Sequence, residues 1–367
     1  WGSVRAMDRL GIDPSALDAG VLGFTVPQSA SFYGLPWVAA ELGAPHLAGP
    51  TIMQACATSA RALQVAAAEI SGDSAQTALV LTADRVSNGP SLAWPRPAAP
   101  GGQPEGEHWV MANFARDPWA NCAMVDTAEN VASRWSISRE AQDDLTLMRL
   151  AQYHAARARG FHARFMGDGL AMPDARFART VGTLAADEGV QPVDEAKVRS
   201  LKPVREGGTV THAGQTHPAD GHAGMILASS DQARLLATRS GLEIALTGFG
   251  TARVERGLMP AAPVPAASRA LAMAGVSITG IDAVTSHNPF AVNDIVFARE
   301  TGFSLEAMNI NGCSLVYGHP QGPTGMRATI ELVETLIERG GGRGLFQGCA
   351  AGDSAMALVI EVRDAVA

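Results

Sequence analysis

The sequence predicts an α/β protein made of two similar units with a further region inserted between them. Three observations support this fold class. Short aliphatic runs alternate with longer helical patterns, which is typical of helices packed on a largely parallel sheet. The same alternation recurs from residue 242 onward. The chain has 367 residues, more than one hydrophobic core usually serves.

The elements of the first unit lie between the N-terminus and about residue 87. Apolar residues at helical spacing predict helices, and short aliphatic runs bounded by turn residues predict strands. In chain order we predict a helix over 3–10, a turn over 11–15, a strand over 19–24, a helix over 35–42, a long Ala-rich helix that starts near Cys56, and a strand over 77–82.

The second unit repeats this pattern. In chain order we predict a strand over 242–248, a helix over 266–274, a strand over 283–286, helices over 291–301 and 324–338, and a strand over 344–347. Gly11 corresponds to Gly275 and Ala19 to Ala283, at a constant offset of 264 positions, which favours a duplication. The opening strand of the second unit has its counterpart before residue 1, so we expect the first unit to lack its first strand.

The segment between the units differs in character. Proline and glycine are frequent over 88–108, which predicts a loop, and helices are expected over 126–135 and 138–159. We therefore expect an N-terminal domain formed by 1–87 and 219–241, an inserted loop or lid domain over 88–218, and a C-terminal domain over 242–367.

Composition excludes several classes of protein. Hydrophobic residues make up 47% and charged residues 17%, which is typical of a globular chain. A net charge of −8 without a Lys/Arg cluster argues against nucleic-acid binding. No apolar run is long enough to span a membrane, and the first residues do not resemble a signal peptide. Four widely spaced cysteines favour reduced thiols, so we expect a cytoplasmic protein.

Cys56 is the first candidate for chemistry. It follows a short apolar run, is surrounded by alanine and serine, and stands where the Ala-rich helix begins. Unpaired N–H groups and the helix dipole at such a position lower the pKa of a thiol and make it nucleophilic. The alternative is a buried structural cysteine, since free cysteine is among the most buried residue types.

The repeat places two further residues near Cys56. His319 lies in the loop before the helix that mirrors the Cys56 helix, and a twofold-like arrangement would direct both helix starts to the centre. Cys349 follows the last predicted strand of the repeat, among small residues that allow close approach of the backbone. We expect the two cysteines and the histidine to converge.

These residues belong to three motifs through which the chain, from Ser3 to Val362, resembles the thiolase family. The motifs are the Cys56 turn, Asn311-Gly312 with Gly318-His319-Pro320 and Gly325-Met326-Arg327, and Cys349-x-x-Gly352; Thr127-Ala-Glu-Asn-Val-Ala132 and Gly208-Thr-Val-Thr211 add support. The resemblance implies a duplicated α-β-α-β-α five-layered fold. It also implies coenzyme A as substrate or product, no permanently bound cofactor, and a homodimer or homotetramer.

The resemblance further implies a role for each residue. Cys56 would carry the acyl group, His319 would activate its thiol, and Cys349 would be the acid/base, as joining or splitting acyl thioesters requires. The backbone amides of Cys56, Ala351 and Gly352 would form an oxyanion hole.

The chain departs from the family at several positions. His287-Asn288-Pro289-Phe290 stands where many thiolases have Asn-Glu-Ala-Phe, so His287 would hold the catalytic water by hydrogen bonding. A strand-end histidine with a purely structural role is the alternative. Ala351 replaces a glycine. Met124 lacks the preceding histidine of acetoacetyl-type enzymes, which suggests a different acyl group.

Other residues are expected along the channel for coenzyme A or the acyl group: Met124, Lys202, His217, Met259 and Phe290. Lys202 could equally be a solvated surface residue, and Met259 could simply pack. His212, His217 and His222 lie in a loop without a cysteine or paired carboxylate, so no metal site is expected.

Two alternatives to an ordinary thiolase remain open. One is a thiolase for an unusual aromatic or dicarboxylic 3-ketoacyl-CoA that requires an accessory subunit with an OB-fold or zinc ribbon. The other is a non-catalytic protein that binds acyl-CoA. The presence of Cys56, His287, His319 and Cys349 together argues against the second.

Overall fold

The N-terminal part of the chain alternates helices and strands as predicted. The computed structural model describes residues 1–167, 169–237, 239 and 241–364, and the remaining positions of the expected domains lie outside the described residues. The elements are α1 (Gly2–Leu10), β1 (Ala19–Gly23), α2 (Gly34–Glu41), β2 (Thr51–Ile52), α3 (Thr58–Ser71) and β3 (Thr77–Arg85).

The segment that follows β3 contains both helices and short hairpins. Its elements are β4 (Ser91–Trp94), β5 (Glu105–His108), α4 (Trp109–Ala115), α5 (Met124–Arg134), α6 (Arg139–Ala158), α7 (Ala163–Met166), β6 (Leu170–Pro173), β7 (Thr180–Leu184) and α8 (Glu195–Ser200). The prediction of a plain loop over 88–108 is wrong, because β4 and β5 pair as an antiparallel hairpin there. Four of the five prolines of this segment lie in the connection between the two strands, where no ladder N–H is needed, and Pro90 precedes β4.

The remainder of the chain completes one sheet and builds a second. Its elements are β8 (Asp220–Ala228), α9 (Ser230–Leu236), β9 (Leu242–Arg253), α10 (Pro263–Ala274), β10 (Ala283–His287), α11 (Ala291–Thr301), α12 (Ser314–Tyr317), α13 (Gly322–Glu338), β11 (Gly342–Ala350) and β12 (Ser354–Asp364). The predicted helix over 291–301 is confirmed to the residue.

The two sheets share one pattern of pairing. In the first sheet, of order β2-β1-β3-β8, β1 is parallel to β3 and β3 is antiparallel to β8. In the second, of order β10-β11-β12-β9, β10 is parallel to β11 and β11 is antiparallel to β12. Ala19 and Ala283, which the repeat aligns, begin β1 and β10. The structure therefore agrees with a duplicated unit.

The layers alternate helices and sheets. α1 and α2 pack on the outer side of the first sheet, and α10 packs on the outer side of the second. Between the sheets, α3 and α13 contact each other in one buried cluster that includes Leu63, Met326 and Phe346. This order gives the five layers that the family resemblance implied.

The segment between β3 and β8 packs against helices of the second α/β unit. α5 and α6 pack against α11 and α12, and a buried ion pair joins Arg149 of α6 to Asp294 of α11 at 2.9 Å. Both side chains are 0% exposed, so loss of either one would destabilise the fold strongly by leaving the other charge buried without a partner. Among the described residues, no helix has both the length and the apolar character needed to cross a bilayer.

Candidate active site

Cys56 lies in a tight turn between β2 and α3. Ala55 has a positive φ of 44°, and α3 begins two residues after the cysteine. The Thr58 hydroxyl donates to the Ala55 carbonyl at 2.7 Å and accepts the Gln54 N–H at 2.9 Å. These bonds hold the turn, and the small side chains around it leave the half-buried Cys56 thiol open to a partner.

That partner is His319. Its Nε2 atom lies 3.1 Å from Cys56 Sγ, and its Nδ1 atom lies 2.6 Å from the Thr324 hydroxyl oxygen. The backbone N–H of His319 donates to the His217 carbonyl at 2.8 Å, which fixes the loop. With the thiol donating to Nε2, the ring hydrogen is assigned to Nδ1 and points to Thr324. The ring is thus oriented to accept a proton from sulfur.

Burial sets the protonation of this pair. It raises the pKa of Cys56 to about 12, an effect that the nearby Ala351 and Cys56 amides oppose and the Asp84 carboxylate reinforces. Burial also lowers the pKa of His319 to about 3. The predicted lowering of the Cys56 pKa is therefore wrong, because desolvation of the thiolate outweighs the amides at the start of α3. The resting pair is a neutral thiol and a neutral imidazole.

His287 ends β10 and stacks on His319. The ring centroids are 4.0 Å apart and the planes are inclined by 25°. His287 Nδ1 lies 3.1 Å from the Ser314 hydroxyl oxygen, which also accepts the Asn288 backbone N–H at 3.0 Å and donates to Asn288 Oδ1. Nδ1 is then the donor, and Nε2 is an acceptor for which the described residues supply no partner.

Burial holds the pKa of His287 well below its usual value. The positive charge that a protonated His319 would carry lowers this pKa further. A network of buried polar groups supports this ring from behind. Asp294 accepts hydrogen bonds from Ser286, Asn288 and Asn309, at 2.7 to 2.9 Å, in addition to its ion pair with Arg149. Such a fully paired network fixes side-chain positions in a dry interior.

Cys349 occupies the end of β11 and is buried. Burial raises the pKa of its thiol, and Cys56 raises it further, so the two sulfur atoms lie within electrostatic reach of each other. Asn293 Nδ2 donates to Cys349 Sγ at 3.3 Å. The structure therefore gathers Cys56, His287, His319 and Cys349 in one buried site.

The predicted oxyanion donors separate into two groups. The amides of Cys56 and Ala351 both interact with the Cys56 sulfur. The Gly352 N–H instead donates to Asp117 Oδ2 at 3.2 Å, which directs that amide away from Cys56. Only Cys56 and Ala351 thus remain as amide donors at the sulfur among the three that were predicted.

The residues predicted to contact the substrate lie in three different surroundings. Met124, Met259 and Phe290 pack in the same apolar cluster as Cys349. His217 contacts the loop of His319 through its backbone, and its Nε2 atom is buried without a partner among the described residues. Lys202 is exposed after α8, and the described part of the chain gives it no hydrogen bond or ion pair.

The sulfur and nitrogen atoms of Cys56, His287 and His319 lie within 4.8 Å of one another. A metal ion needs lone pairs that converge on one point, whereas the ring lone pairs of two stacked imidazoles lie in nearly parallel planes. The hydrogen-bonded thiol and imidazole suit proton transfer better. Within the described ranges, His212, His217 and His222 form no group of metal ligands.

Sequence reasoning missed the residues that orient these groups: Thr324, Ser314, Asn293, Asp294 and Asp117. Thr324 could have been found, because the repeat sets it at the start of the helix that follows His319. The others lie on separate elements, and the sequence carries no spacing signal for them.

A duplicated five-layered fold with a cysteine–histidine pair between the two sheets defines a thiolase-like acyltransferase. The thiolase N-terminal domain matches residues 4–231 and the thiolase C-terminal domain matches residues 242–362. The chain belongs to the thiolase family and is an acyltransferase of that family.

Similarity to individual proteins extends over most of the chain. The acetyl-CoA acetyltransferase of Paracoccus denitrificans is 27% identical over 97% of this chain and 90% of its own length. The human mitochondrial 3-ketoacyl-CoA thiolase is 30% identical over 69% of this chain and 62% of its own length. A crystal structure of human mitochondrial 3-ketoacyl-CoA thiolase in complex with CoA superposes with a TM-score of 0.88 at 25% identity, covering 98% of this chain and 90% of that one.

Proposed function

We propose that this chain catalyses the reversible Claisen condensation of acyl-CoA, and the thiolytic cleavage of 3-ketoacyl-CoA, through an acyl group carried on Cys56. The observation that carries the proposal is the 3.1 Å contact between Cys56 Sγ and His319 Nε2, with Cys349 in the same buried site. A nucleophile paired with a base, plus a second proton-transfer group, is what this chemistry requires.

The first half-reaction transfers an acyl group. His319 Nε2 takes the proton of Cys56, and the sulfur attacks the thioester carbonyl while the amides of Cys56 and Ala351 stabilise the oxyanion. The bond to coenzyme A sulfur breaks, and the departing thiolate takes the proton of Cys349. This leaves acyl-Cys56, an imidazolium at His319 and a thiolate at Cys349.

The second half-reaction forms the carbon–carbon bond. The Cys349 thiolate removes the α-proton of a second acyl-CoA, and the resulting carbanion attacks acyl-Cys56. Cys56 leaves as a thiolate and takes its proton back from His319, so both cysteines end as thiols. Because burial disfavours a thiolate at Cys349, that thiolate is a strong base once formed. His287 Nε2 would hold a water molecule beside the thioester oxygen.

The acyl group should be apolar. Met124, Met259 and Phe290 belong to the cluster around Cys349, and a charged acyl end there would lack a partner. This favours an aliphatic or aromatic 3-ketoacyl-CoA over a dicarboxylic one. His217 lies beside the loop of His319. The exposed Lys202 would meet only the solvent-exposed end of coenzyme A. Coenzyme A acts as substrate or product, and we propose no permanently bound cofactor.

For the domain division we propose the boundaries that the sequence suggests. Residues 1–87 with 219–241 and residues 242–367 would be the two catalytic domains, and 88–218 would cover the site as a lid.

We also propose a homodimer in a reducing compartment such as the cytoplasm. All four cysteines are free. Strand β2 lies at the edge of the first sheet and is followed by Met53, which is 60% exposed. Phe32 and Tyr33, just before α2, are 96% and 68% exposed. An exposed edge strand and exposed apolar side chains can be covered by a second copy across a twofold axis. Sedimentation of the wild type and of Met53→Glu tests this, and a monomeric wild type would contradict it. An accessory subunit would be indicated if the isolated chain formed acyl-Cys56 but did not complete turnover.

A thiolysis assay tests the proposed activity. Purified chain is mixed with coenzyme A and a panel of apolar and dicarboxylic 3-ketoacyl-CoA substrates, with Cys56→Ser as the control. We expect cleavage of an apolar substrate that the control lacks. Tight acyl-CoA binding without turnover of any substrate would instead identify a non-catalytic carrier.

A further inference from the structure

The side-chain amide of Asn293 contacts a sulfur atom that the proposed reaction uses. Asn293 lies in the first turn of α11, is 1% exposed, and places Nδ2 at 3.3 Å from Cys349 Sγ. The rest of the surroundings of Cys349 are largely apolar. Besides the backbone N–H of Cys349 and the nearby Cys56 sulfur, the Asn293 amide is the polar side-chain group that the described residues place against this sulfur.

The orientation of the amide is fixed by two other bonds. Asn293 Oδ1 accepts the Phe290 backbone N–H at 3.2 Å, and Nδ2 also donates to the Pro260 carbonyl at 3.3 Å. A backbone N–H can only donate and a carbonyl can only accept, so both bonds require the same assignment of oxygen and nitrogen. The NH₂ group must then face Cys349.

We propose that Asn293 is a further catalytic residue, whose N–H donation to Cys349 Sγ stabilises the thiolate form of that cysteine. A hydrogen bond to a charged acceptor is about twice as strong as one between neutral groups, so the contact favours thiolate over thiol. The inference rests on the proposed function in one respect, the use of Cys349 as acid and base. The bond to Phe290 also holds this base at a fixed position relative to the apolar wall of the site.

The alkylation rate of Cys349 tests this role, because loss of an amide with a purely structural role is not expected to slow alkylation. Loss of a hydrogen bond to a charged group should raise the pKa of Cys349 by roughly one to two pH units. The thiolate fraction at a fixed pH then falls about 10- to 100-fold. A more basic thiolate is also more nucleophilic, so the rate of alkylation should fall by a smaller factor, roughly 3- to 10-fold.

The experiment uses the full chain in a Cys56→Ser background. Iodoacetamide labelling of Cys349 is followed at one pH by peptide mass for Asn293→Leu and Asn293→Asp. The Asp variant keeps an acceptor for the Phe290 N–H and sets a negative charge beside the sulfur, so its rate should fall further than that of the Leu variant. Asn113→Asp on the surface of α4 makes the same chemical change away from the site and should match the parent.

Equal or faster labelling of Cys349 in both Asn293 variants overturns the proposal, whatever their melting temperatures. Exchange of α-hydrogens of acyl-CoA with deuterated solvent, with Cys56 intact, separates the two levels of inference. Exchange that the wild type performs and both variants retain in full also overturns the role of Asn293. Absence of exchange in the wild type, with labelling still dependent on Asn293, would reject the thiolase reaction and leave the thiolate stabilisation standing.

Discussion

His319 Nε2 lies 3.1 Å from Cys56 Sγ, although 263 positions of sequence separate the two residues. The duplicated units bring them together, because α3 and α13 pack side by side with their N-terminal ends adjacent, and the Ser59 hydroxyl on α3 donates to the Gly322 carbonyl at the start of α13. The contact between nucleophile and base therefore depends on the packing of two whole sheet units rather than on a local motif.

Acylation of Cys56 should depend on His319. Since burial keeps the Cys56 thiol protonated, an acyl-CoA should acylate His319→Ala about 10²- to 10⁴-fold more slowly than the wild type. Peptide mass after timed quenching measures the acyl group. His212→Ala removes an exposed histidine as the control; equal acylation of the two variants would rule out His319 as the base.

The hydroxyl of Thr324 should matter through the orientation of His319. Thr324→Val keeps the shape of the side chain but leaves the Nδ1–H of His319 without an acceptor, so acylation should slow roughly 10- to 100-fold. Thr329→Val is the matched control, since that buried hydroxyl on α13 donates only to the Gly325 carbonyl. An equal loss in both variants would indicate damage to the helix rather than to the base.

The free energy of unfolding should fall at acidic pH because of buried histidines. The pKa of His319 is about 3 in the folded chain, against an ordinary value of 6.5. Between these values the unfolded chain binds a proton that the folded chain does not, so stability decreases as pH falls through this window. One such group contributes about 1.4 kcal/mol per pH unit.

Denaturant titrations from pH 7 to pH 4 measure that slope. His319→Gln should reduce it by the contribution of one group. The remaining slope reflects the other histidines whose pKa values burial lowers, which are His162, His217, His222 and His287, and it is opposed by Glu331, whose pKa burial raises to about 7. His212→Gln controls for loss of an imidazole. A slope in His319→Gln identical to that of the wild type would mean that His319 is not buried as a neutral ring.

Periodicity predicted the helices and strands well where the pattern was long. α11 was predicted to the residue and α13 within two residues, because apolar spacing and the following turns define them. The hairpin β4–β5 was missed because its short strands carry little apolar signal beside four prolines. The motif spacing that revealed the duplication also predicted that Cys56, His319 and Cys349 lie close together.

Sequence could not predict the quantities that depend on assembly of the whole chain. The pKa of Cys56 moves upward because distant elements bury it, which no local helix argument includes. The Gly352 amide turns to Asp117, a residue 235 positions away. Asn293 reaches Cys349 across 56 positions only because α11 lies against the end of β11.

In the proposed reaction Cys56 carries the acyl group while Cys349 moves the α-proton, and Cys349→Ala tests both roles at once. The variant should still form acyl-Cys56, because His319 or water can protonate the departing thiolate. Exchange of α-hydrogens of acyl-CoA with deuterated solvent should fall by at least about 10²-fold, since alanine offers no base. An acyl group on Cys56 together with lost exchange is the predicted result, and exchange at the wild-type rate in Cys349→Ala would contradict the account.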